Sequence, residues 1–96
     1  MHVLRIEHRT ADYEGWKAAF DSDPVGRSSK GVRHHQVLRA VDDPLFVCIE
    51  LTFDTADEAN GLLAAMREVW RRIVGTVVFD PQARVFEVAE DVNYRD

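Results

Sequence analysis

The sequence has very little cysteine and no long apolar run, and each absence excludes a class of protein. Cys48 is the only cysteine among 96 residues, so neither an intrachain disulfide nor a cysteine-based metal site can form. The amino terminus lacks the basic start and apolar stretch of a secretory signal, and no apolar segment approaches the ~20 residues that span a bilayer. We therefore expect a cytoplasmic protein with no membrane partner.

Basic residues are also fewer than acidic ones. Seventeen Asp and Glu outnumber twelve Lys and Arg, which leaves a net charge of -5 at pH 7. Such a surface repels phosphates, so we expect no nucleic-acid partner. The composition, 46% apolar with 5 Gly and 3 Pro, is typical of one globular domain that spans residues 1–96. A core this small favours a homodimer, because a second copy buries further surface.

Two kinds of apolar pattern alternate along the chain. Period-2 alternation predicts four strands, at residues 2–8, 32–41, 45–53 and 83–90. Helical spacing predicts one helix that begins after Asp12 and a second that begins after a capping box of Thr55 and Glu58. Asp42-Asp43-Pro44 predicts a tight hairpin, and Asp80-Pro81 predicts a break ahead of the last strand.

The resulting order, β-α-β-β-α-β, predicts a ferredoxin-like α+β fold. We expect an antiparallel sheet of order 4-1-3-2 with both helices on one face. The apolar positions predict that this helix-covered face carries Leu4, Ile6, Val47, Ile49, Leu51, Phe53, Phe86 and Val88. The uncovered face, called the open face below, then holds a mixture of apolar and charged side chains that suits a half-buried cleft.

The register of the hairpin decides which histidine lies on the open face. A turn at Asp42 and Asp43 places His35 directly opposite Glu50, and this is the register we favour. A register shifted by one residue places His34 and Gln36 on the open face instead. In the favoured register His35 is a candidate general acid or base that Glu50 orients, so both are candidate catalytic residues.

The other open-face residues form the wall of the predicted site. An unpaired buried carboxylate is costly, so Arg5 should pair with Glu50 or Glu87. The candidate ligand-binding residues are Arg5, Val37, Phe46, Cys48, Val85 and Glu87. The sequence leaves open the alternative that these side chains form an ionic network across a subunit interface.

Metal chemistry finds little support in the sequence. His34 and His35 are neighbours on a strand and point to opposite faces, so they cannot chelate one ion. We expect neither a metal nor another cofactor. Trp16 and Trp70 each lie on the apolar stripe of a predicted helix, where an aromatic residue is most often part of the core.

With its short first helix, aspartate-rich hairpin and capped second helix, the chain resembles the dimeric α+β barrel superfamily, which includes antibiotic-biosynthesis-monooxygenase-like proteins. The resemblance implies that two subunits join their open faces around a cavity that binds a small aromatic or anionic organic molecule. It also implies monooxygenase-like or isomerase-like activity without metal or flavin. The alternative is a non-catalytic dimeric interaction module whose barrel is filled by its own side chains.

Haem degraders of that superfamily use an Asn, a Trp and a His. Trp70 matches the helix Trp, but the first strand has no Asn and residues 74–79 contain no His. These two departures from the pattern argue against haem chemistry.

Overall fold

The computed structural model describes residues 1–73, 75 and 77–95. The described elements are β1 (His2–Thr10), α1 (Tyr13–Asp21), a 3-10 turn (Ser28–Lys30), β2 (His34–Ala40), β3 (Asp43–Phe53), α2 (Ala56–Ile73) and β4 (Val78–Glu87). The strands form one antiparallel sheet of order β2-β3-β1-β4, which confirms the predicted ferredoxin-like α+β fold. Val74 and Thr76, within the stretch 74–79 that lacks a histidine, lie outside the described residues, as does Asp96.

Both helices pack on the same face of the sheet. Trp16 of α1 and Trp70 of α2 are buried in one cluster with the inward side chains of β1 and β3, as predicted. The strand residues of this cluster are Leu4, Ile6, Val47, Ile49, Leu51 and Phe53. Burial of each large apolar side chain stabilises the fold by roughly 1.5–3 kcal/mol. Across the described part of the chain, no helix is long and apolar enough to cross a membrane.

The helices begin where the sequence predicts. Asp12 caps α1, since its carboxylate accepts a hydrogen bond from the Gly15 backbone N–H at 3.1 Å. At the start of α2 the Thr55 hydroxyl accepts from the Glu58 N–H at 3.1 Å, while the Glu58 carboxylate accepts from the Thr55 N–H at 3.2 Å. This reciprocal pair confirms the capping box and satisfies two backbone donors at the helix end.

Gly31 is required beside this cap, and its replacement should destabilise the fold. Its φ of 96° is left-handed, and a Cβ there would lie 2.5 Å from Oε2 of Glu58. Displacing Glu58 weakens the capping box, so Gly31→Ala should lower the free energy of unfolding by about 1–2 kcal/mol in urea titrations. The control is Gly61→Ala, inside α2 with nothing within 4 Å, which should raise it by up to ~1 kcal/mol. Equal effects of the two changes would contradict this role.

The hairpin between β2 and β3 turns one residue earlier than predicted. Ala40 pairs with Asp43, so the two-residue loop is Val41-Asp42. The ladder is then irregular on β3, where Pro44 has no N–H to donate to a partner strand. This irregularity sets the register of the rest of the hairpin.

The shift moves the predicted catalytic histidine to the other face. Gln36, not His35, lies opposite Glu50, so the predicted His35–Glu50 pair is wrong and the alternative register is observed. His35 and Val37 lie on the helix-covered face, since Val37 pairs with the inward Ile49. The open-face residues of β2 are instead His34, Gln36 and Leu38.

The last strand is longer than predicted because a bulge carries it past Asp80-Pro81. Glu7 pairs with Gln82, yet two residues further along β1 the partner is Phe79, which leaves one extra residue on β4. Asp80 absorbs the irregularity with a φ of 52°. Pro81 is tolerated because β4 is an edge strand and its outer side needs no donor.

The predicted faces of β4 are also reversed. Val85 pairs with the buried Leu4 and packs against the core, and Glu87 shares its side of the strand. Phe86 lies on the open face and is 44% exposed. Residues two apart on a strand point to the same face, so Phe86 must lie on the same face as Arg84. The charge of Arg84 cannot be buried beneath the helices, so both residues lie on the open face.

Candidate functional site

The open face carries charged side chains flanked by apolar ones. By strand alternation it holds Val3, Arg5, Glu7 and Arg9 from β1, His34, Gln36 and Leu38 from β2, Phe46, Cys48, Glu50 and Thr52 from β3, and Gln82, Arg84 and Phe86 from β4. Leu38 and Phe86 remain about two-fifths exposed, at 42% and 44%. Such side chains, set in a sheet that no helix covers, indicate a surface for association.

Arg5 is the centre of the charged part of this face. Its guanidinium donates to Glu50 at 2.5 Å and to Glu7 at 3.3 Å, which confirms the predicted pairing with Glu50. All three side chains are between 32% and 42% exposed, so each pair contributes up to about 1 kcal/mol. Beside them a shallow groove of about 330 Å³ runs between β1 and β4 and is lined by Gln82, Arg84 and Phe86 as well.

Four of the predicted site residues therefore share this face and four do not. Arg5, Phe46, Cys48 and Glu50 lie on it. Those on the opposite face are His35, Val37, Val85 and Glu87. The set predicted from the sequence does not assemble into one site.

Cys48 is not an activated nucleophile. The side chain is buried, and burial, followed by the charges of Glu50 and Glu7, raises the pKa of its thiol, while Arg5 opposes the shift. The thiol is therefore protonated at neutral pH and packs as a small apolar group.

A more enclosed cavity lies on the other side of the sheet, between the strands and the two helices. It has a volume of about 250 Å³ and almost entirely apolar walls. The strands contribute Ile6, His8, Ile49, Leu51 and Val78; the helices Trp16, Ala19, Phe20, Leu62, Met66, Val69, Trp70 and Ile73; and the loops Ser22, Asp23, Pro24, Val25, Arg27 and Val77. We call this space the helix–sheet cavity.

His8 is the polar group set into the wall of this cavity. Its side chain is only 3% exposed, and its ring meets Trp16 edge to face at 5.4 Å. Nδ1 lies 3.1 Å from the carbonyl oxygen of Arg9. A carbonyl only accepts, so Nδ1 carries the proton and Nε2 presents its lone pair. No described residue hydrogen-bonds Nε2.

Arg27 and Phe20 stand at the mouth of the cavity. The Arg27 guanidinium lies 3.8 Å from the centre of the Phe20 ring and donates to the Phe20 carbonyl oxygen at 2.9 Å. Asp23 completes the arrangement with an ion pair to Arg27 at 3.4 Å. Phe20 in turn stacks on Trp16, with ring centres 5.2 Å apart. The loop after α1 is thereby tied down over one side of the cavity.

The burial of His8 predicts a loss of stability in acid. Burial lowers the pKa of His8 from its ordinary value of 6.5, more than the hydrogen bond to Arg9 raises it. Below pH 6.5 the unfolded chain takes up this proton before the folded one does, so stability falls as the pH falls towards the lowered pKa. Between pH 7.5 and 5.0, urea titrations should show a smaller loss for His8→Phe than for the unmodified protein. His35, whose pKa is also lowered, first by burial, remains in both proteins.

Of the residues that line this cavity, His8 has a signal in the sequence. His8 continues the alternation of Leu4 and Ile6, so its inward direction was visible as a histidine in phase with the core face. Nothing in the sequence shows that Trp16 and Trp70 leave a space between them, because that space depends on how α1 and the following loop sit on the sheet. In residues 1–73, 75 and 77–95, no three His, Cys, Asp or Glu side chains cluster in a way that could hold a metal ion.

Comparisons with known proteins identify the fold. No protein-family model matches the sequence, and no curated protein does either. Solved structures do match: the proposed antibiotic biosynthesis monooxygenase of Deinococcus radiodurans is 15% identical, with 97% of each chain covered and a TM-score of 0.66. A dimeric ferredoxin-like protein from an uncultured marine organism is 11% identical, with 95% of this chain and 97% of that one covered and the same TM-score.

A third match is a mutant of MhuD with two manganese protoporphyrin IX molecules bound per active site. It is 19% identical, covers 95% of this chain and 98% of its own, and has a TM-score of 0.52. Identities this low establish the architecture alone. The chain thus has the ferredoxin-like α+β fold that antibiotic-biosynthesis-monooxygenase-like proteins and dimeric ferredoxin-like proteins share.

Proposed function

We propose that this protein binds a small, largely apolar organic molecule in the helix–sheet cavity and forms a homodimer through its open face. The observation that carries the proposal is the cavity itself, a space of about 250 Å³ enclosed by apolar and aromatic walls with a buried histidine. Small-molecule sites are typically concave, mostly apolar and equipped with a few placed polar groups. The groove on the open face is shallower and more polar, so it is the weaker candidate.

The dimer follows from the open face. Leu38 and Phe86 are exposed in the single chain, and Arg5 and Glu50 beside them form a charge pair that a second copy can cover without leaving either charge unpaired. Two solved structures of similar fold, both from uncultured marine organisms, are described as dimeric ferredoxin-like proteins. In this arrangement the open faces meet, and the helix–sheet cavities stay accessible on the outside.

Any catalysis in the cavity would rely on His8. It is the one titratable side chain, among the described residues of the wall, that is buried, and its neutral ring lines the space with Nε2 left as an acceptor. A monooxygenase-like reaction, as the names of several similar proteins suggest, or an isomerase-like one, as the sequence resemblance implies, needs a group that accepts a proton from the substrate, and His8 is placed to be that group. His35 and Glu50 no longer share a site and do not enter this proposal.

The cavity does not suit a porphyrin. At about 250 Å³ it falls below the ~300–1,000 Å³ of drug-sized ligand sites, and a tetrapyrrole is larger still. Haem also carries two propionates that need cationic partners. Arg27 is the one arginine lining the cavity among the described residues, and it is already engaged by Asp23. We therefore assign no step to haem.

A ligand-dependent rise in thermal stability tests the proposal. A ligand that binds the folded state at ten times its Kd stabilises it by about 1.4 kcal/mol. Circular dichroism melts with increasing 2-naphthol, a two-ring probe, should therefore give a Tm that rises with its concentration. A Tm that does not change at saturating 2-naphthol would contradict ligand binding and favour the alternative, a dimeric interaction module without a ligand.

A further inference from the structure

We infer that His8 makes the helix–sheet cavity selective for apolar ligands that carry a hydrogen-bond donor, a hydroxyl or an N–H group, which pairs with Nε2 of His8. This inference rests on the proposed function and deepens it by naming the chemistry of the ligand. It assigns to His8 a role as the residue that determines specificity.

The tautomer of His8 is fixed by its backbone neighbour. The Arg9 carbonyl oxygen, 3.1 Å from Nδ1, can only accept a hydrogen bond, so the single ring proton of the neutral imidazole stays on Nδ1. Nε2 is then an acceptor and cannot donate. Trp16 meets the ring at 5.4 Å and holds its orientation.

The second step is that this acceptor lacks a partner. His8 is only 3% exposed. Within the described residues its ring makes no hydrogen bond other than the one to Arg9. Nε2 is not sealed off, because among the described residues the side-chain nitrogen that is both fully buried and without a partner is Nδ1 of His2. Nε2 of His8 therefore stays accessible and free to accept a hydrogen bond. The ring also lines the cavity, so a ligand there is placed to supply the missing donor.

The third step concerns the remaining walls, which reject charge. The aromatic rings of Trp16, Phe20 and Trp70 line the space, and the charged groups lie at its mouth, where Arg27 and Asp23 pair with each other. An ionised ligand group deep in this cavity would be desolvated without a counter-charge. The structure thus favours a neutral, flat molecule with one donor.

Two probes with the same rings and oxygen test the inference, one with a hydroxyl proton and the other with a methyl group in its place. 2-Naphthol carries a hydroxyl, whereas 2-methoxynaphthalene has the same rings and oxygen but no donor. We expect the unmodified dimer to bind 2-naphthol about tenfold more tightly in calorimetric titrations, the ratio that corresponds to one satisfied buried hydrogen bond. In His8→Phe, which keeps an aromatic ring against Trp16, the ratio should fall to about one.

Two further variants control the experiment. His8→Gln retains an acceptor oxygen and should restore part of the preference for 2-naphthol, and it serves if His8→Phe does not fold. His35→Phe changes a histidine that meets Phe20 at 5.3 Å but does not line the cavity, and it should leave the ratio unchanged. Equal binding of both probes to the unmodified protein, or a preference that survives His8→Phe, would overturn the inference while leaving the cavity as a ligand site. If neither probe binds, the proposed function fails with it.

Discussion

Replacing Phe86 with Asp should prevent the proposed dimer from forming. Phe86 is 44% exposed on the open face, so a carboxylate there is tolerated in the single chain. In the proposed dimer the same carboxylate would take the place of the apolar ring that packs against the second copy and would lose its water, with Arg84 on the same face as its nearest cation. The lost apolar burial and the desolvation together cost roughly 3 kcal/mol, which weakens association by about a hundredfold. Sedimentation equilibrium measures this change directly.

The control for this experiment is Val41→Asp. Val41 is a fully exposed apolar residue at the tip of the β2–β3 hairpin, away from Phe86 on β4. The proposed dimer does not require it, so Val41→Asp should sediment as the unmodified protein does. A monomeric unmodified protein, or a Phe86→Asp variant that remains dimeric, would contradict the assignment of the open face.

Replacing Ala19 with Phe should abolish ligand binding while making the protein more stable. Ala19 lies at the rim of the helix–sheet cavity, and a phenyl group there occupies space that the ligand needs. Burial of the ring should raise the free energy of unfolding by about 1 kcal/mol. The Tm increase that 2-naphthol produces in the unmodified protein should be lost. Opposite changes in stability and binding are expected where a cavity is kept open for function.

Ala18→Phe is the matched control. Ala18 is the adjacent residue of α1, is exposed and does not line the cavity. It makes the same chemical change on the same helix, and it should preserve the response to 2-naphthol. Retained binding in Ala19→Phe would place the ligand site outside the helix–sheet cavity.

The parts of the fold that were predictable are those encoded by neighbouring residues. The alternation of Leu4 and Ile6 defines a strand, and Thr55 with Glu58 defines the start of α2, since each signal acts within a few positions. The order of these elements was then enough to predict the sheet topology.

The registers of the two edge strands were not predictable in the same way. On β2 both faces are largely exposed, so the burial pattern offers little to choose between His34 and His35. On β4 the bulge at Asp80 lies ahead of the segment whose alternation was visible. In each case one residue in a turn or bulge determines which face of the sheet the later side chains of that strand point to.

The cavity escaped prediction for a different reason. Trp16 and Trp70 satisfy the helical pattern whether or not the core between them is filled. Its existence depends on the loop after α1, where Arg27 and Asp23 hold the chain over the sheet. Such loop contacts leave no periodic pattern in the sequence from which they could be predicted.

The location of a bound probe distinguishes the helix–sheet cavity from the open face. Intermolecular nuclear Overhauser effects between 2-naphthol and the isotope-labelled protein report which side chains lie within a few ångströms of the ligand. The account predicts contacts to the indole protons of Trp16 and Trp70 and to the ring of His8. Contacts to Phe86 and Leu38 on the open face instead would contradict the helix–sheet cavity and return the site to the interior of the dimer.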